Sequence, residues 1–143
     1  MQRAMRLASK AETAGEVPVG AVIVKNDELI AEGWNQPISS HDATSHAEIM
    51  AMRAAGIRLN NYRLVDCVMY VTLEPCSMCV GAMIHARIAK VIYAAEEPRT
   101  GALGGAFNLL DANQHNHVFE VRSGLLADES RAMLQQFFRV RRK

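Results

Sequence analysis

Residues 67–86 read Cys-Val-Met-Tyr-Val-Thr-Leu-Glu-Pro-Cys-Ser-Met-Cys-Val-Gly-Ala-Met-Ile-His-Ala and contain the strongest structural signal in the chain. Residues 67–73 are continuously apolar and rich in β-branched side chains, which is typical of a strand buried on both faces of a sheet. Pro75 favours the start of a helix over residues 76–86, and residues 91–94 are a further apolar strand. A strand, a helix and a strand in this order predict a parallel, right-handed crossover.

The segments on either side of this unit add more helices and strands. The spacing of apolar residues predicts helices over residues 2–14, 46–55 and 125–142, and strands over residues 19–24, 28–33 and 117–121. Residues 34–44 are polar and residues 95–106 are rich in charge and glycine, so we expect loops there. No repeat or linker divides the chain, which predicts one α/β domain over residues 1–143 with helices on both faces of a sheet. The order of the strands does not follow from these patterns.

Composition excludes several classes of protein. The chain has 143 residues, 50% of them hydrophobic and 22% charged, as expected of a globular domain, and its net charge of +1 argues against a broadly cationic nucleic-acid binder. The longest apolar run, residues 17–24, has eight residues, whereas a membrane span needs about 20. The N-terminus shows no apolar signal segment, and three cysteines form no disulfide framework. We therefore expect a cytoplasmic protein without a membrane span.

Two predicted helix starts carry the residues with chemical potential. His46-Ala-Glu48 opens one helix, and Pro75-Cys-Ser-Met-Cys79 opens another directly after the buried strand. Cysteines three residues apart in a first helical turn point to the same side, as two ligands of one metal ion must. The positive end of the helix dipole also favours the thiolate form that binds metal. One imidazole and two thiolates suit zinc, and three protein ligands leave a fourth position open for catalysis.

Glu48 is the candidate catalytic residue beside this metal site. It stands two residues from His46, and side chains at that spacing do not share a helix face, so Glu48 is poorly placed as a further ligand. It can still reach water in the open position, take up a proton and return it to a leaving group. His-x-Glu combined with Pro-Cys-x-x-Cys is the signature of zinc-dependent base deaminases, which predicts hydrolytic chemistry.

Other interpretations of the same residues stay open at this point. Cys76 and Cys79 alone could form a redox pair, although His46 and Glu48 count against it. Cys67 could complete a closed structural zinc site, but it begins an apolar strand, where a free cysteine usually packs as a small hydrophobe. Glu48 could also do no more than complement its helix dipole.

Several segments extend the signature into a resemblance over nearly the whole chain. They are Glu16-Val-Pro-Val-Gly-Ala-Val22, Gly33-Trp-Asn35, His46-Ala-Glu-Ile-Met-Ala51, residues 72–85 and Phe137-Phe-Arg-Val-Arg-Arg142. Together they resemble the family of bacterial tRNA-specific adenosine deaminases, the TadA family. The resemblance implies a three-layer α/β/α cytidine deaminase-like fold with a five-stranded mixed sheet, and a homodimer. It also implies conversion of adenosine to inosine at the anticodon wobble position of an arginine tRNA.

The resemblance also assigns roles to single residues. It makes His46, Cys76 and Cys79 the ligands of one zinc ion per subunit and Glu48 the proton shuttle. Asn35 matches a family residue that hydrogen-bonds the flipped base, and a side-chain amide has the donors and acceptors that a purine edge requires. Asn35 could instead be a turn residue after Trp34. Further positions resemble family residues that lie along the path of the bound RNA. They are Pro37, the loop 95–101 with Glu97, and Phe138.

Some positions depart from the family pattern. Ala43 and Ser45 replace a common Pro and Ala before His46, and Glu97 stands where Asp is usual. None of these changes removes a metal ligand, so they put the sequence context of the substrate in doubt more than the activity.

The rival functions are a deaminase of a free base or nucleotide, such as guanine or cytosine, and a zinc-stabilised binding module without catalysis.

The charge distribution helps to separate the rivals. Four of the sixteen basic residues lie in residues 139–143, so the rest of the chain carries a net charge of −3. These residues follow the aromatic pair Phe137 and Phe138, and we name residues 137–143 the basic C-terminal segment. An enzyme acting on an RNA loop needs such cations and stacking side chains, whereas a free-base enzyme does not. The alternative is a solvated helix end that complements its own dipole.

Overall fold

The structure, a computed structural model, describes residues 1–142; Lys143, part of the basic C-terminal segment, lies outside the described residues. The helices are α1 (Gln2–Thr13), α2 (Pro37–Ser40), α3 (Ala47–Leu59), α4 (Ser77–Ala86) and α5 (Ala127–Arg141), with a 3₁₀ turn at Leu109–Asp111. The strands are β1 (Gly20–Lys25), β2 (Glu28–Trp34), β3 (Cys67–Leu73), β4 (Lys90–Ala95) and β5 (Glu120–Ser123). Within residues 1–142, no helix combines the length and apolar character that a membrane crossing requires.

The five strands form one mixed sheet in the order β2-β1-β3-β4-β5. The hairpin of β1 and β2 is antiparallel, β1 also pairs antiparallel with β3, and β3, β4 and β5 run parallel to one another. The predicted parallel unit of β3, α4 and β4 is confirmed. The central position of β3 explains its uninterrupted apolar sequence, because a strand covered on both faces has no solvent side.

Helices cover both faces of the sheet, so the predicted three-layer α/β/α architecture is confirmed. On one face Ala4 and Leu7 of α1 pack with Val22 of β1. On the other face, α3 and α4 pack on the strands through Ala47, Ala51, Ala55, Val80 and Met83, which belong to the main core with Ile23, Met69, Val71 and Val91. Gly33 lies where a Cβ would collide with the backbone of Ala47 and Ala51. The absence of a side chain there lets α3 begin directly against β2.

Three elements show the largest differences from the sequence prediction. Residues 37–40, expected as loop, form the short helix α2, whose first position is Pro37. Helix α3 continues past Gly56 to Leu59 and ends at Asn60, which adopts the left-handed conformation with φ of 52°. Strand β5 begins three residues later than predicted because Phe119 turns into the core while pairing with β4 starts at Glu120.

Candidate active site

The side chains of His46, Cys76 and Cys79 converge at the N-termini of α3 and α4. The Nδ1 atom of His46 lies 3.6 Å from each of the two sulfur atoms, and the two sulfur atoms are 3.8 Å apart. A tetrahedral zinc ion with ordinary bond lengths requires about 3.6 Å between nitrogen and sulfur ligands and about 3.8 Å between two sulfur ligands. The three residues therefore fit a zinc ion without rearrangement.

The local backbone explains this convergence. His46 and Cys76 are the N-cap residues of α3 and α4, and both have extended backbone conformations, with ψ of 156° and 175°. Each side chain thus projects from just before its helix, while Cys79 lies in the first turn of α4 and is fully buried. Two helix N-termini aimed at one point favour the negatively charged thiolates that bind metal.

Proton equilibria within the cluster point in the same direction. The hydrogen bond that links the two cysteine side chains lowers the pKa of Cys76 to about 4, with a further contribution from His46. The same pairing with Cys76, together with burial, raises the pKa of Cys79. The hydrogen bond with Cys76 raises the pKa of His46. The direction of these shifts favours a thiolate at Cys76, the form that a metal ion requires.

Glu48 lies beside the cluster but does not belong to it. Among residues 1–142, the group of side chains able to share one ion contains His46, Cys76 and Cys79 and does not contain Glu48. Its side chain is buried, with 4% of its surface exposed, and burial raises the pKa of its carboxyl group. A carboxyl group with a raised pKa holds a proton more readily than an exposed one, which suits a residue that takes up and returns a proton.

A small cavity opens onto Glu48. It encloses about 210 Å³ and is lined by Val17, Val19, Asn35, His46, Glu48, Leu73, Glu74, Cys76 and Thr100. Pockets for drug-sized ligands usually measure about 300 to 1,000 Å³, so this cavity suits a single ring system better than a whole nucleotide. Val17, Val19 and Leu73 form the apolar part of its wall, and Asn35 and Glu48 are among the polar residues that line the rest.

The structure brings some of the predicted substrate residues to this cavity and leaves others outside its lining. Asn35 is buried at the cavity wall. Pro37 begins α2 and is half-buried, and the Glu97 carboxylate turns back on its own loop, where it accepts a hydrogen bond from the Arg99 amide at 2.9 Å. Phe138 is 44% exposed on α5, where its ring meets that of Phe137 edge to face at 5.2 Å between centroids.

Glu74 lines the cavity, although no motif in the sequence marks it as a site residue. It directly follows β3 and is only 3% exposed. Its side chain accepts hydrogen bonds from backbone amides and makes none with the metal-ligand side chains. The signal in the sequence was a single carboxylate between Leu73 and Pro75, an apolar setting in which a charged side chain needs a specific partner. Thr100, another residue of the cavity lining, carries no comparable signal.

Comparison with known proteins agrees with this geometry. Residues 1–95 match the cytidine and deoxycytidylate deaminase zinc-binding region. A tRNA-specific adenosine deaminase of Haemophilus influenzae is 47% identical over 144 residues, which cover all of this chain and 83% of the relative. A solved structure from work on A-to-I editing by tRNA:A34 deaminases at the wobble position of transfer RNA matches with a TM-score of 0.89 and 38% identity, over 94% of this chain and 97% of that one.

A guanine deaminase from Bacillus subtilis is also similar. Its structure matches with a TM-score of 0.65 and 36% identity, over 99% of this chain and 91% of that one. The likeness in fold is weaker than that to the tRNA:A34 deaminase structure, although both comparisons span almost the entire chain. The five-stranded sheet, the zinc-fitting cluster and the identity to curated relatives lead to one conclusion: the chain is a deaminase with a zinc-binding site and belongs to the family of tRNA-specific adenosine deaminases.

Proposed function

We propose that this protein deaminates adenosine to inosine at the wobble position of the anticodon of an arginine tRNA, as a single domain spanning residues 1–143 with one zinc ion per subunit. One observation carries the proposal: a zinc-fitting triangle of His46, Cys76 and Cys79 adjoins the buried carboxyl group of Glu48 in a cavity sized for one base. The name of the Haemophilus influenzae relative and the similarity to a tRNA:A34 deaminase structure support the choice of substrate.

His46, Cys76 and Cys79 would hold the zinc ion, which when bound supplies Lewis-acid activation of water. Glu48 takes up a proton from water as the water oxygen adds to carbon 6 of adenine, and Glu48 passes this proton to ring nitrogen 1. Glu48 then takes the proton of the new hydroxyl group on carbon 6 and delivers it to the departing amino group, so that ammonia leaves, the carbonyl forms and the base becomes hypoxanthine. Because Glu48 is almost fully buried, bulk water does not compete for this proton.

Asn35 orients the base in this mechanism. Its side-chain amide can donate to and accept from a purine edge, and the residue is held at the cavity wall by the hydrogen bond from its backbone amide to the Val19 carbonyl at 3.0 Å. The apolar side chains of Val17, Val19 and Leu73 complete the wall and exclude water from the faces of the base. An unstacked base of an RNA loop can enter such a cavity, as other base-modifying enzymes require.

The surface outside the cavity favours RNA over a free base. Phe138 is 44% exposed on α5, and Arg139 and Arg142 nearby are exposed and take part in no ion pair among residues 1–142. Aromatic rings stack on bases and arginines contact phosphates, so this region suits the anticodon stem-loop. A free guanine or cytosine has no phosphate for these side chains to contact.

The decisive test compares substrates. Purified protein with one equivalent of zinc is incubated with an anticodon stem-loop that carries adenosine at the wobble position, and separately with free guanine and free cytosine. Inosine should form in the stem-loop, with little ammonia released from either free base. Turnover of a free base without turnover of the stem-loop would establish the rival free-base activity. Bound zinc without turnover of any substrate would establish a binding module.

We also propose that the protein is a cytoplasmic homodimer. All three cysteines are free, as expected in a reducing compartment.

A groove of about 1100 Å³ lies between α3, α4 and the segment 60–64, and at its rim Ile57 and Tyr62 are 82% and 69% exposed. A second copy of the chain would bury these apolar side chains. In analytical ultracentrifugation, Ile57→Glu should shift the protein from dimer to monomer. Leu125→Glu, at another exposed apolar site, should leave the dimer intact. A dimer that survives Ile57→Glu would contradict this interface.

A further inference from the structure

Two buried carboxylates have no part in the metal cluster. Glu16 is 1% exposed and Glu74 is 3% exposed. Neither forms an ion pair with any residue that the structure describes. A buried carboxylate without a cationic partner is costly unless hydrogen bonds replace its hydration. Each of the two obtains those hydrogen bonds from backbone amides of a segment that borders the cavity.

Glu74 holds the segment of residues 96–107, which we name the Thr100 segment. Its Oε1 atom accepts a hydrogen bond from the Glu97 amide at 2.9 Å, and its Oε2 atom accepts from the amides of Leu103 at 2.9 Å and Gly105 at 2.8 Å. A Cβ on Gly105 would overlap the Glu74 carboxylate, and one on Gly101 would do the same. Glycine at both positions lets the backbone wrap closely around this carboxylate.

Glu16 does the same for residues 35–45, which we name the Asn35 segment. Its two carboxylate oxygens accept hydrogen bonds from the amides of Ile38 at 3.1 Å and Ser39 at 2.7 Å, both in the short helix α2. Burial alone raises the pKa of Glu16, but the hydrogen bonds from Ser39 and Ile38 bring it below its usual range. The charged form is therefore the one that holds this segment.

Both segments contribute to the lining of the base cavity, Asn35 from one and Thr100 from the other. We propose that Glu16 and Glu74 are positioning residues for the deamination, each fixing one of these segments so that together they set the opening through which the base enters. This inference rests on the proposed function for its substrate. The hydrogen bonds span 22 to 31 residues of sequence, so they tie the segments to the scaffold independently of each other.

Amide hydrogen exchange measured by NMR tests these hydrogen bonds without any substrate. In Glu74→Gln, an NH₂ group replaces one of the two carboxylate oxygens. This NH₂ group is a donor and cannot accept a hydrogen bond from the backbone N–H that it faces. Protection of at least one of the Glu97, Leu103 and Gly105 amides should therefore fall about tenfold or more, the effect of removing a hydrogen bond to a charged acceptor. The amides of Ile38 and Ser39 should keep their protection. Glu16→Gln should give the reciprocal pattern, and Glu129→Gln on the exposed start of α5 should change neither set.

Steady-state kinetics with the anticodon stem-loop tests the role in the reaction. Glu74→Gln and Glu16→Gln should each raise KM about tenfold and change kcat much less, because Glu48 and the three metal ligands are not replaced. Zinc content should stay at one per chain. Unchanged protection of the segment amides, or a fall in kcat at unchanged KM, would overturn the proposal, and so would loss of zinc.

Two further comparisons separate the outcomes. If Glu74→Gln does not fold, Glu74→Asp keeps the charge but shortens the side chain by one methylene group, and protection of the Leu103 and Gly105 amides must still fall. If the unmodified protein fails to deaminate the stem-loop, the proposed function is wrong. The exchange pattern then still decides whether the two carboxylates hold the two segments.

Discussion

The metal cluster and the basic C-terminal segment are organised in opposite ways. The ligand atoms of His46, Cys76 and Cys79 lie within 3.8 Å of one another, and Glu48 beside them is 4% exposed. In the C-terminal segment, Phe138 is 44% exposed and Val140 is 54% exposed. Bond-making chemistry requires fixed distances between a few atoms, whereas binding to the flexible backbone of an RNA loop tolerates adjustment. Substitutions should therefore act sharply in the first region and gradually in the second.

Removal of a metal ligand should have the largest effect. Cys79→Ala deletes one corner of the ligand triangle, so bound zinc should fall from one per chain to a small fraction and deamination should fall at least about 10³-fold. Cys67→Ala is the matched control, because Cys67 is also a buried free cysteine but lies in β3 outside the cluster. Elemental analysis and inosine formation measure the two effects. Equal zinc content in both variants would show that the triangle is not the metal site.

A bulkier residue in the Thr100 segment should have an intermediate effect. In Gly105→Ala, the new Cβ meets the Glu74 carboxylate and the Glu97 carbonyl, so the segment must move, and overpacking of this kind costs about 1 to 3 kcal/mol of unfolding free energy. Gly81→Ala in α4 is the control, since a Cβ there meets nothing within 4 Å. Chemical denaturation measures both. Equal stability of the two variants would mean that the segment is not tightly held.

Neutralising the basic C-terminal segment should have the smallest effect per residue. Arg139→Gln with Arg142→Gln should weaken stem-loop binding about tenfold and reduce the salt dependence of log K by about 0.7 for each phosphate that is no longer neutralised. Arg141 is left unchanged because its guanidinium lies 3.5 Å from the centroid of the Phe137 ring. Fluorescence anisotropy at several salt concentrations measures binding.

The control for the Arg139 and Arg142 variant replaces two arginines that form ion pairs within the protein. Arg122 pairs with Glu120 and Arg131 pairs with Asp128. Arg122→Gln with Arg131→Gln removes the same charge and should leave the salt slope unchanged. An unchanged slope in the Arg139 and Arg142 variant would show that these arginines do not bind phosphates.

The metal site could be predicted from the sequence because its geometry is local. The spacing of Cys76 and Cys79 fixes two ligands in one helical turn, and only the meeting with His46 depends on the fold. The roles of Glu16 and Glu74 could not be predicted, because the amides that they bind are 22 to 31 residues away and carry no mark in the sequence. The short helix α2 at residues 37–40 could not be predicted for the same reason. The Glu16 carboxylate that binds its amides lies 22 and 23 residues away in the sequence.

The sheet shows the same limit. The apolar pattern of residues 67–73 predicted a strand buried on both faces, but its place between β1 and β4 depends on pairing that no local pattern records. The fifth strand was predicted at residues 117–121 from its apolar residues. Its true start at Glu120 is set by register with Lys90 of β4. Local chemistry and apolar periodicity are readable in one sequence, whereas pairing between distant segments is not.

The proposed role of Glu48 is tested by the rate of inosine formation by Glu48→Ala at full zinc occupancy. The variant and the unmodified protein are brought to one zinc per chain, confirmed by elemental analysis, and mixed in excess with the anticodon stem-loop for a single turnover. Loss of the proton shuttle should reduce the rate by about 10² to 10⁴-fold while zinc is retained. A rate within a few-fold of the unmodified protein at equal zinc would contradict the assignment of Glu48 as the residue that moves the proton.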